Sequence, residues 1–163
     1  MKTDNTKKVL IALDYDPTAQ KVAETGFSLA KDMNAEVILI HVITDPVNYT
    51  SSGHVMIMGF AGFMHTDVGS FHLDSIDELK KASQLFLNKS KQHLGDKTIQ
   101  TLIKEGDVAE SIIKAAKGLH VNIIVVGSHS RKWLENIVMG SVAEKVLLHT
   151  TIPLFIVPTK KHK

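Results

Sequence analysis

Four short runs of this chain are almost uninterruptedly apolar: residues 9–13 (VLIAL), 37–42 (VILIHV), 123–126 (IIVV) and 154–157 (LFIV). A strand with one wet face alternates apolar and polar residues, whereas a strand covered on both faces has no reason to. These runs therefore predict parallel strands inside a layered fold. Residues 98–103 are more mixed, with Gln100 and Thr101, and predict a strand at an edge. Between the runs the apolar positions recur at helical spacing: Ala19, Val22, Ala23, Gly26, Ala30 and Met33; then Ile76, Leu79, Ala82, Phe86 and His93; then Ala109, Ile112, Ile113 and Ala116; then Val142, Ala143, Val146 and Leu147. Start signals accompany three of them. Asp16 precedes Pro17, Asp107 precedes Glu110 by three residues, and Ser141 precedes Glu144 by three, the spacing of a capping box. Five strands alternating with four helices predict one α/β domain over residues 1–163, an open parallel sheet with helices on both faces.

In such sheets ligands sit at the carboxyl ends of the strands, where the winding direction reverses. Asp14 ends the first run, Thr44 and Asp45 follow the second, Lys104 and Glu105 the third, and a glycine-bearing loop the fourth. The order 3-2-1-4-5 places the reversal between Asp14 and Gly127. It also leaves the fifth strand, one of the most apolar, at an edge, and bare apolar edges invite pairing. A homodimer through Leu154 to Val157 is expected.

The densest chemical signal is IIVVGSHSRKWLENIVMGS, residues 123–141. A strand runs into Gly127, a polar loop follows, and Gly140 and Ser141 open a helix. A glycine allows close backbone approach, and a helix N-terminus offers unpaired N–H groups, which together suit a phosphate. Ser141 can contact phosphate or cap its own helix. His129 and Arg131 can supply positive charge or decorate an exposed loop, Trp133 reads as a packing anchor, and Asp14 reads either as a ligand contact or as a turn residue.

Composition narrows the classes. At 163 residues, 44% hydrophobic and 22% charged, the chain suits one globular core. A formal net charge of +2 gives no argument for nucleic acid, and the basic run 160–163 reads as a solvated tail. Without cysteine there is neither a disulfide framework nor thiol chemistry, as expected of a reducing compartment. No run approaches the roughly 20 apolar residues that cross a bilayer, so no membrane partner and a cytoplasmic location are expected.

Gly127, two residues, Ser130, nine residues, then Gly140 and Ser141 follow the spacing Gly, two residues, Gly, nine residues, Gly and Ser or Thr. On this motif, on LDYD after the first strand, on EVILIHV and on the ending IPLFIVP, the chain resembles the universal stress protein family over nearly its whole length. Ser130 is the departure, since the family has its second glycine there. It still offers an N–H and adds a hydroxyl, while its Cβ restricts positive φ and takes up space. The resemblance implies a Rossmann-like sheet of the adenine nucleotide alpha hydrolase type binding ATP, or AMP or ADP, with Mg²⁺ accompanying the nucleotide. It implies that the aspartate at Asp14, with Ala12 and Leu13 before it, meets the adenosine and that the backbone at Val42 reads the adenine. Gly127, His129, Ser130, Arg131, Gly140, Ser141 and Val142 would wrap the phosphates.

Residues 44–74 form an insert with Gly53, Gly59, Gly62 and Gly69 among Met56, Met58, Phe60, Phe63 and Met64. It reads equally as a lid over the crevice or as a cover for core or a partner subunit. His54, His65 and His72 within it match no helical or zinc-knuckle spacing. No GxxxxGK[ST] loop occurs, no GxGxxG follows the first strand, and Ile103 leads into Lys104 where a phosphorelay receiver needs its aspartate. The expectation is a homodimeric adenine-nucleotide-binding protein of stress response with an unknown regulatory partner. A nucleotide-free interaction module of the same fold and a weak ATPase are the alternatives.

Overall fold

The structure, a computed structural model, describes residues 5–15, 18–44, 76–128 and 139–159. The apolar runs form strands β1 (Lys8–Ala12), β2 (Glu36–Ile43), β4 (Ile123–Gly127) and β5 (Leu154–Val157), and the mixed run forms β3 (Gln100–Glu105). Helices α1 (Ala19–Asp32), α2 (Ile76–Leu94), α3 (Val108–Gly118) and α4 (Ser141–His149) alternate with them. Every pairing is parallel, in the order β3-β2-β1-β4-β5.

Side-chain alternation explains why the central strands carry no polar face. Val9, Ile11, Val37, Leu39 and Val125 pack with Ala23 and Ala30 of α1 and Leu79, Phe86 and Leu87 of α2. Leu10, Ile38, Ile40, Ile124 and Val126 pack on the other side with Ile112 and Ala116 of α3 and Ala143 and Val146 of α4. The chain winds outward from β1 to β3 with α1 and α2 on one face, then crosses back to β4 and winds the opposite way with α3 and α4 on the other. Right-handed crossovers require that change of face when the direction reverses, and the reversal falls between β1 and β4. Helix α1 lies close there: a Cβ on Gly26 would meet Ile11 Cδ1 at 2.8 Å and Val125 Cγ1 at 3.2 Å. The first and third helices end alike, with Asn34 and His120 at φ 53° and 54°, and with Ala35 and Val121 amides reaching back to the Ala30 and Ala116 carbonyls. This left-handed closure turns each chain directly into its strand.

Several boundaries differ from the sequence expectation. Strand β3 begins two residues late because the Asp96 carboxylate accepts the amide and the hydroxyl of Thr98, at 2.8 and 2.6 Å, and holds it in a turn. Lys104 and Glu105, expected beyond the strand, pair with Val42 and Ile43 inside it. Helix α1 starts at Ala19 with Thr18 as N-cap, and Leu147, expected in the core, is half exposed because α4 rests on Ala143 and Val146. Asp16 and Pro17, the insert beyond Thr44 with its three histidines, the loop residues His129, Ser130, Arg131 and Trp133, and the basic tail lie outside the described residues.

Candidate functional site

A cleft of about 380 Å³ opens where the winding reverses. Ala12, Leu13 and Asp14 at the end of β1, Ile40, His41, Val42 and Thr44 along and beyond β2, and Val126, Gly127 and Ser128 at the end of β4 form its floor. Thr18, Ala19 and Val22 of the first helix, Val108 and Ile112 of α3, and Gly140, Ser141, Val142 and Ala143 at the start of α4 close its sides. The lining is apolar beneath and polar at the strand ends, and the volume lies within the ordinary range of small-molecule sites, roughly 300–1,000 Å³.

The N-terminus of α4 is its electropositive wall. Gly140 is the N-cap, at φ −69° and ψ 158°, and as a glycine it brings no side chain to cap the helix. The first helical bond runs from the Glu144 amide to the Gly140 carbonyl at 3.0 Å, so the amides of Ser141, Val142 and Ala143 have no acceptor within the helix. Ser141 is therefore the first helical residue, and the Ser141 and Glu144 capping box expected from sequence does not form. Helix α3 shows the contrast: its N-cap Asp107 accepts the Glu110 amide and the Lys145 ammonium, each at 2.9 Å. Those bonds, the amide first, hold the Asp107 carboxyl below its ordinary range. Helix α3 thus carries a carboxylate on its positive end, and α4 sets its own positive end in the wall of the cleft.

Facing it, the residues after β1 are held from two sides. The Leu13 amide donates to the Ile40 carbonyl at 2.9 Å, and His41 Nδ1 donates to the Leu13 carbonyl at 2.8 Å. His41 is 1% exposed. The Tyr15 ring lies 4.2 Å from His41 and meets Phe86 edge-on, its hydroxyl is 2.5 Å from Ser83 Oγ on α2, and its amide donates to Asp14 Oδ1 at 2.8 Å. Asp14 is thus fixed at the mouth by neighbours on β2 and α2. Among the described lining residues it is the sole carboxylate, none is Lys or Arg, and among the described residues no group of three or more His, Asp or Glu is placed to hold a metal ion.

Of the residues singled out from sequence, Ala12, Leu13, Asp14, Val42, Gly127, Gly140, Ser141 and Val142 meet in this one cleft. His129, Ser130 and Arg131 lie outside the described residues. Sequence reasoning missed His41, which sits in an apolar strand and looks like core, and Val108 and Ile112, whose helical spacing marks them only as buried. It also missed what Ser128 does. The motif spacing marked its position, but no local signal discloses its partners 12 and 31 residues away.

Residues 5–158 match the universal stress protein family. The chain is 32% identical over 153 residues to the universal stress protein YxiE of Bacillus subtilis, covering 92% of this chain and 97% of that one. It is 30% identical over 157 residues to the universal stress protein MJ0577 of Methanocaldococcus jannaschii, covering 94% and 96%. The solved structure of MJ0577 superposes with a TM-score of 0.71, covering 96% of this chain and 98% of that one. A universal stress protein solved in complex with cAMP shares the fold at 15% identity, with a TM-score of 0.60 and 95% and 98% covered.

Proposed function

The chain belongs to the universal stress protein family, and from that premise we propose that it is a regulatory protein that binds an adenine nucleotide, ATP or a product of it, in the cleft between β1 and β4. The observation that carries this reading is the N-terminus of α4, where the glycine N-cap brings no capping side chain and the amides of Ser141, Val142 and Ala143 have no acceptor within the helix, lining the same cavity as Asp14. The phosphates meet the amides of Ser141, Val142 and Ala143, the ribose lies toward Asp14, and the base rests among Val42, Val108, Ile112 and Val126, with the Val42 backbone reading its edge. Gly127 keeps the phosphate path open, and His129, Ser130 and Arg131 complete the loop. A relative of this fold was solved with cAMP, which supports an adenine ligand.

Mg²⁺ arrives with the phosphates, since the described lining offers it only the Asp14 carboxylate. Hydrolysis is slow, because the described lining holds no lysine and no second carboxylate to orient water. The protein works in the cytoplasm as a homodimer paired through β5, where Phe155 lies open on an apolar edge. Among the described residues no helix is long and apolar enough to cross a membrane. Equilibrium titration of the purified protein with ATP, AMP and GTP tests the site. Saturable binding of the adenine nucleotides, with GTP at least about tenfold weaker, is expected, and absence of ATP binding at millimolar concentration overturns it.

A further inference from the structure

Ser128 lies at the first turn beyond β4, and each of its polar groups is spent on a different segment. Its amide donates to the Val157 carbonyl at 2.9 Å. Its hydroxyl accepts the Thr159 amide at 2.9 Å and lies 3.2 Å from Thr159 Oγ1. Its carbonyl accepts the amide of Gly140, the N-cap of α4. Ser128 and Thr159 are 8% and 7% exposed, so these are buried bonds without water to replace them.

A carbonyl can aim an N-cap amide only if its own residue is held. Residue 128 is held at its amide by β5 and at its side chain by the segment leaving β5. The Gly140 amide is consumed by this bond, while the next three amides have no acceptor within the helix, which begins its bonding at Glu144. We infer that Ser128 is a positioning residue of the cleft: its hydroxyl, clamped by Thr159, sets the carbonyl that holds the N-terminus of α4 in its anion-receiving orientation. This rests on the nucleotide reading only for the identity of the anion. The clamp itself is a property of the free protein.

Ser128→Ala keeps both backbone bonds in principle and deletes the side-chain clamp, orphaning the Thr159 amide. Ser128→Thr keeps the hydroxyl. Thr159→Val, a second variant that leaves the Thr159-position amide bond in place, removes the hydroxyl pair. Amide hydrogen exchange on the free full-length chain, followed at residues 140 and 159 with Ile112 as an internal control, reads the clamp, and ATP titration reads its consequence. Ser128→Ala should speed exchange at 140 and 159 about tenfold or more relative to Ile112 and weaken ATP by about tenfold, Ser128→Thr should restore both, and Thr159→Val should shift both in the same direction by less. Unchanged exchange at residue 140 in a folded Ser128→Ala protein overturns the inference, as does loss of ATP binding that Ser128→Thr fails to restore. Should exchange respond as expected while the wild-type protein binds no ATP, the clamp stands and the nucleotide reading falls.

Discussion

Placing a carboxylate at the N-cap of α4 should move stability and binding in opposite directions. Gly140 has extended backbone that any residue adopts, and its helix has no side-chain cap. In Gly140→Asp the new carboxylate reaches the Val142 or Ala143 amide, the acceptor position an N-cap side chain normally takes. Exchanging Gly for Asp there contributes a few tenths of a kcal/mol through the cap, and the helix dipole adds roughly 0.3–1 kcal/mol. The expected gain is about 0.5–1 kcal/mol, or about 2 °C in Tm at this chain length. The same carboxylate occupies the amides that a phosphate would use and repels it. At roughly 5 Å and an effective dielectric near 20, one charge pair is worth about 3 kcal/mol before salt screening. ATP affinity should therefore fall about a hundredfold, or about 2.7 kcal/mol. Gly140→Asn, which caps without the charge, should lose less, and its difference from Asp should shrink as salt is raised. Thermal unfolding and ATP titration of the three proteins make the comparison. A stable Gly140→Asp protein that binds ATP as the wild type does would refute the placement of phosphate on this helix.

Two alanine substitutions at helical glycines should differ in sign. Gly118, with nothing within 4 Å of a Cβ, should gain about 0.5–1 kcal/mol in Gly118→Ala, whereas Gly26→Ala sets that gain against about 1–3 kcal/mol of overpacking on the buried Ile11 and Val125 and should be neutral to destabilising by up to about 2 kcal/mol in urea unfolding. Gly106→Ala has room, its nearest neighbour being Ser111 Oγ at 3.9 Å, but φ of 117° should cost it about 1–3 kcal/mol by the same assay. Asp107, whose folded carboxyl titrates below its ordinary 3.8, contributes stability that is present above that value and disappears as pH falls through the lowered one; the urea midpoints of wild type and Asp107→Asn should differ near neutrality and converge as the pH falls through that lowered value. Phe155→Lys should turn a β5-paired dimer into a monomer in sedimentation, and an unchanged mass would exclude that edge as the interface.

The strands were legible because burial on both faces leaves a mark every local window can read: VLIAL, VILIHV, IIVV and LFIV need no distant information. Strand order followed from chemistry at the strand ends, since Asp14 and Gly127 make sense together only if β1 and β4 are neighbours. Legibility failed where a residue's partner is remote or where two local signals compete. Thr98 has strand-forming character, but Asp96 two residues earlier offers its carboxylate and wins, so β3 starts late. Ser141 and Glu144 carry a capping box by spacing, yet the Ser128 carbonyl takes the Gly140 amide and fixes the helix start one residue earlier than a Ser141 cap requires.

That last displacement is where fold and site become one argument. A helix capped by its own Ser141 would satisfy an orphan amide internally and offer less to an anion. Starting on Gly140, α4 brings no capping side chain from its own N-cap, while α3, one strand away, caps one of its amides with Asp107. Two helix N-termini whose N-cap residues make no side-chain cap bond, α1 at Thr18 and α4 at Gly140, thus line the cleft at the winding reversal, where Asp14 follows β1. Stability alone would favour a capping side chain at both, so the cleft is where this sequence departs from the local optimum, as binding sites do.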